Sequence, residues 1–127
     1  KRHRDGRAAL RRQCEHEARA KLLRLRALYL DVAARPADLE RLLVGSLKTF
    51  LVILRHVLHL RGVDQPMAYP DVLAAGERLL GPLPAFRRVL EHRSGRHRLG
   101  RRDVREEFSR HLADAERVVA AVDALHD

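Results

Sequence analysis

From Arg7 to Ala34 the apolar residues Leu10, Cys14, Ala18, Leu22, Leu25, Tyr29 and Val32 return every three or four positions, the spacing of one helix face. The pattern predicts a long amphipathic helix. "RPAD" ends it, because Pro36 disfavours the α conformation at Arg35 while Asp38 can open the next helix. A second helix is predicted from about Asp38 to Arg61, with Gly62 at a C-cap position and "DQP" beyond it. The short connection predicts that the two are antiparallel neighbours. "YPDVLAAGERLLGPLP" predicts a short helix from Pro70 to Leu80, and "PAFRRVLEHR" a second short one with Phe86, Val89 and Leu90 facing inward. The stretch "RSGRHRLGRR" at 93–102, with Gly95 and Gly100, reads as a loop. The last helix is expected to start near Asp103, which with Glu106 and Glu107 places acids at the positive end of the helix dipole. Its core stripe is Val104, Phe108, Leu112, Ala115, Val119, Val122 and Leu125. The expected fold class is all-α, a bundle of about five helices, three long and two short, around a central hydrophobic helix at 38–61.

That central helix contains "GSLKTFLVILRHVLHLRG", apolar on almost every side. A membrane span needs roughly 20 apolar residues with few charges, and Lys48 and Arg55 divide this run into shorter pieces. No membrane is expected as a partner. Arg41, Gly45, Lys48, Val52, Arg55 and His59 instead follow one narrow line in steps of three and four, so the helix keeps one seam open. Lys48, Arg55 and His59 on that seam have the donors to hold an anionic group. The competing reading is a solvated stripe whose long side chains reach out to water. His56 lies off this line and reads as a core or boundary histidine.

Composition narrows the class further. A chain of 127 residues supports one domain, and 46% apolar with 34% charged residues is globular rather than disordered. Cys14 is the only cysteine, which excludes intrachain disulfides and CxxC-type zinc sites and fits a cytoplasmic location. The net charge of +9 is unevenly spread. Residues 1–26 hold ten Lys or Arg against three acids, 93–102 hold five arginines and no acid, and 106–127 hold six acids against two arginines. The basic segments 1–26 and 93–102, the latter with Arg93, Arg96, Arg98, Arg101 and Arg102, are therefore candidates for binding an anionic ligand or nucleic acid. Only three of the 26 basic residues are lysine, so a background bias toward arginine competes as the cause.

Motifs for catalysis are missing. His56 and His59, or "CEHE" at Cys14 to Glu17, lack the partners of a four-ligand zinc site. Gly45 and Ser46 have the Gly-Ser pair of a nucleotidyltransferase site without the Asp-x-Asp that binds its metals, and they lie inside a helix. No serine or cysteine has a discernible histidine and acid partner. An endoribonuclease of the HEPN type needs Arg followed by His after four to six residues; Arg87 with His92, Arg105 with His111 and Arg11 with His16 fit. About four such matches arise by chance in a chain this rich in arginine, so three carry no weight.

A resemblance rests on three stretches: "LRRQCEHEARAKLLRLRALYL" at Leu10 to Leu30, "LLVGSLKTFLVILRHVLHLRG" at Leu42 to Gly62, and "FRRVLEHRSG" at Phe86 to Gly95. Together these resemble the helical C-terminal half of bacterial two-domain proteins that carry a nucleotidyltransferase-fold domain in front, relatives of the paired nucleotidyltransferase and HEPN bundles. The resemblance implies that the bundle forms one wall of a substrate cleft. It also implies that Mg2+ and the nucleoside triphosphate belong to the preceding domain, with none bound by this chain. A start at "KRHRDGR" without methionine agrees with a piece of a longer protein. The expected role is then a non-catalytic accessory domain whose partners are the nucleotidyltransferase domain, its acceptor substrate or a second copy in a homodimer. Two alternatives stay open: a nucleic-acid-binding helical module, and a HEPN-type ribonuclease using His92 or His111.

Overall fold

The computed structural model describes residues 2–63 and 68–125, with only the backbone described for 2–5, Arg101 and Arg102. Five helices follow one another: α1 Arg2–Val32, α2 Pro36–Leu60, α3 Tyr69–Leu80, α4 Pro84–Arg93 and α5 Arg101–Asp123. No strand occurs among the described residues. The chain is an all-α bundle in which α2 contacts all four other helices. Leu39, Leu43, Leu47, Leu51, Leu54 and Leu58 of α2 are fully enclosed, and half of the apolar window that gives this helix the length and composition of a membrane span is buried inside the bundle.

The turns are those the sequence dictates. Pro36 occupies the first position of α2, with Arg35 extended before it. At the other end Gly62, with φ of 76°, lets the chain reverse. Its N–H donates to the His59 carbonyl at 3.0 Å and the Val63 N–H to the Leu58 carbonyl at 2.9 Å, so the last carbonyls of α2 are satisfied by a Schellman cap. Gly95 repeats the device after α4.

Helix ends shift from the sequence expectation, most consequentially at two starts. α1 is helical from Arg2, and α5 from Arg101, so the basic loop stops at Gly100, whose extended backbone caps α5. Arg101 and Arg102 thus belong to a helix and not to the loop, and their side chains lie outside the described residues, as do those of Lys1, Arg2 and Arg4. Glu107 then falls past the first turn of α5, beyond reach of the helix dipole, and is buried against Arg88 at 2.6 Å.

Candidate functional site

The uneven charge along the chain is partly spent between helices. α5 packs against α1, and Arg19 meets Asp123 at 2.8 Å and Arg26 meets Glu116 at 2.6 Å. Those arginines have acids of their own chain beside them. Lys21 and Arg24, on the neighbouring line of α1, have no acidic partner within 4 Å among the described residues. They face a groove of about 220 Å³ between α1 and α2.

The groove draws Lys21, Arg24, Leu25 and Leu28 from α1 and Arg41, Leu42, Gly45, Ser46, Thr49 and Phe50 from α2. Its floor is apolar, apart from two hydroxyls. Thr49 turns its hydroxyl back to the Gly45 carbonyl at 3.2 Å, and Arg41 pairs with Asp38. Gly45 leaves the wall open, and a Cβ there would meet no other side chain or helix within 4 Å.

Ser46 is held from behind. Its Oγ lies 2.8 Å from Nε2 of His111 in α5, and His111 is 0% exposed. Burial lowers the pKa of the imidazole to about 3, so it is neutral. Its Nδ1 has no hydrogen-bond partner. Since an orphaned buried N–H is rarer than an unsatisfied acceptor, the tautomer that fits carries its proton on Nε2 and donates it to Ser46. The hydroxyl proton of Ser46 is then free. Phe86 and Phe108 flank the ring at centroid distances of 4.9 and 6.4 Å, and Tyr29 stacks on Phe108 at 4.2 Å.

Sequence reasoning placed neither this pair nor its neighbour Asp114. The Asp114 carboxylate accepts the Ala85 and Phe86 N–H groups at 2.8 and 3.1 Å, capping α4 from another helix because α4 has no side-chain cap of its own. Burial pushes its carboxyl pKa up, against the pull of those two donors, Arg117 and Arg88. Glu107, His111 and Asp114 recur at four and three, the period of the apolar stripe beside them. That period was the available signal.

The candidates from the sequence fall at separate places. Lys48 and His59 are exposed on the α2 seam and Arg55 is half-buried; only Arg41 and Gly45 of that line reach the groove. Arg93 lies over the Tyr69 ring at 5.3 Å, and Arg93 and Arg96 border a second hollow of about 230 Å³ with Arg87 and Glu91. Arg98 is exposed. The basic loop is anchored beside the start of α2, where His92 Nε2 meets Glu40 at 3.0 Å. His59 lies about 28 Å farther along that helix at 1.5 Å per residue. No group of three potential metal ligands occurs among the described residues. Burial and the neighbouring Glu17 and Glu15 push the Cys14 thiol up to about 11, which disfavours the thiolate that a nucleophile needs.

The outer face of α1 adds a feature that the sequence reading did not weigh. Ala20, Leu23, Ala27 and Leu30 are all exposed, at steps of three and four, with Leu23 at 65% and Leu30 at 80%. No protein family, curated protein or solved structure matches this chain.

Proposed function

We propose that this chain is a non-catalytic helical accessory domain that docks on a nucleotidyltransferase-fold domain. The observation that carries the reading is the exposed line Ala20, Leu23, Ala27 and Leu30 on α1. Its spacing is that of a helix seam, and large leucines left open at that spacing fit a surface built to be covered. The resemblance of Leu10 to Leu30, Leu42 to Gly62 and Phe86 to Gly95 to the helical half of two-domain nucleotidyltransferase-like proteins supplies the occupant. In this arrangement Lys48, Arg55 and His59 form a wall toward the acceptor substrate, while Mg2+ and nucleotide reside on the other domain.

The residues encoded ahead of Lys1 test the reading. A Gly-Ser followed by Asp-x-Asp within about 150 residues, one domain's length, supports it, and a different fold there refutes it. In such a protein Leu23→Glu with Leu30→Glu should expose the interdomain link to protease while leaving the bundle folded. A purified chain that instead pairs with itself through the same leucines would assign the face to a homodimer.

A further inference from the structure

We infer that the α1–α2 groove is a binding site for a small organic phosphate monoester, held by Lys21, Arg24 and Arg41 at its rim and by the Ser46 hydroxyl on its floor. The inference holds whether or not another domain docks on α1, because every residue it uses belongs to this chain.

Four observations converge. Lys21 and Arg24 carry no acidic partner among the described residues, whereas Arg19 and Arg26 on the same helix are paired with Asp123 and Glu116. Both Lys21 and Arg24 border the groove. Ser46 interrupts an otherwise apolar buried face of α2, and Nε2 of a wholly buried neutral histidine lies 2.8 Å from its oxygen. This His111 sits among aromatic rings with Nδ1 unsatisfied, an arrangement that fixes Ser46 with its own proton available. Such an uncompensated polar group in a core calls for an explanation, and orienting a donor at the floor of a cationic groove provides one.

The ligand class follows from the donors. Two cations without an acidic partner, a third shared with Asp38, and one hydroxyl match a dianionic tetrahedral group better than a single carboxylate, since guanidinium and ammonium groups bind phosphate oxygens through charge-assisted hydrogen bonds. Leu25, Leu28, Leu42 and Phe50 leave the rest of the groove apolar, so a free inorganic ion fills only half of the site. An aromatic or hydrocarbon substituent on the phosphate fills the remainder.

Phenyl phosphate is the probe, titrated calorimetrically into the chain at low salt with inorganic phosphate and benzoate as comparisons. Saturable binding is expected, tighter for phenyl phosphate than for either comparison. Arg24→Glu should weaken it at least about tenfold, the loss of one charge-assisted contact, with the melting temperature unchanged. Arg98→Glu makes the same change of charge outside the groove and should leave it intact. The inference is overturned if phenyl phosphate fails to saturate, if inorganic phosphate binds equally well, or if Arg98→Glu costs as much as Arg24→Glu, which would reveal attraction to net charge alone.

Discussion

Nε2 of His111 and Oγ of Ser46 stand 2.8 Å apart across the contact of α5 with α2, joining positions 65 residues apart in the chain. Each is the other's hydrogen-bond partner, and aromatic rings flank the imidazole. Removing one partner strands the other. Ser46→Ala should therefore cost about 1–3 kcal/mol, the penalty of a buried ring with no bond. Replacing both, with Ser46→Ala and His111→Leu, should recover most of that loss. Urea unfolding of the two single variants and the double variant measures the coupling; additive losses would show that the pair contributes no joint term.

The same ring makes stability depend on pH with a definite sign. His111 has a folded pKa of about 3 against an ordinary 6.5, so between those values the unfolded chain takes up a proton that the folded chain refuses. Stability is full above pH 6.5 and falls as pH falls toward 3, at up to about 1.4 kcal/mol per pH unit. Asp114 acts in the opposite sense, because burial raises its pKa and the folded state binds that proton first. Denaturant midpoints near neutral pH and about two units lower should differ clearly in the parent, and much less in the His111→Leu, Ser46→Ala double variant.

How much of this was legible in the sequence depends on which physical rule wrote it. Cys14, Ala18, Leu22 and Leu25 on α1, and Val104, Phe108, Ala115, Val119 and Val122 on α5, are buried as their period predicts, because burial of an apolar stripe depends on one helix alone. The seam of α2 was legible for the same reason. The groove was not: its lining comes from two helices, and the sequence of each does not fix how it is rotated against the other. Glu107, His111 and Asp114 were hidden by their chemistry, since charged residues at core positions look like residues meant for water until their partners Arg88, Ser46 and the α4 backbone are in place. The charge blocks were visible, but not that Arg19 and Arg26 answer Asp123 and Glu116 across α1 and α5.

Gly76 of α3 packs directly against Leu54 of α2. A methyl group there would stand 2.8 Å from Cγ of Leu54, which is 0% exposed. In an open helix, Gly→Ala gains about 1 kcal/mol from propensity. Here overpacking of about 1–3 kcal/mol should win, so Gly76→Ala is expected to destabilise. Leu54→Ala alone should cost about 2–5 kcal/mol through its cavity. The two together should cost less than their sum, because the new methyl group occupies space that the leucine vacated. Thermal unfolding of the three variants checks this, and a stabilised Gly76→Ala would refute the close contact.

His92 is the remaining histidine with assigned partners, and its geometry bears on the ribonuclease alternative. The Leu99 N–H donates to its Nδ1 at 2.9 Å, so the ring proton is on Nε2, where it donates to Glu40 at 3.0 Å. Both nitrogens are committed, its side chain is 8% exposed, and Arg87 is paired with Glu77. A general base needs a nitrogen within reach of its substrate proton. His111, the other candidate, is 0% exposed. The bonds of His92 instead clamp the basic loop to α4 and α2. His92→Ala should accordingly speed amide exchange at Leu99 and cleavage by protease within 94–100, while the exchange of Leu51 and Leu54 in the core stays slow. RNA incubated with the parent chain should be hydrolysed no faster than in buffer. Hydrolysis by the parent that disappears in His92→Ala would restore the ribonuclease reading, and would require the clamp to open before catalysis.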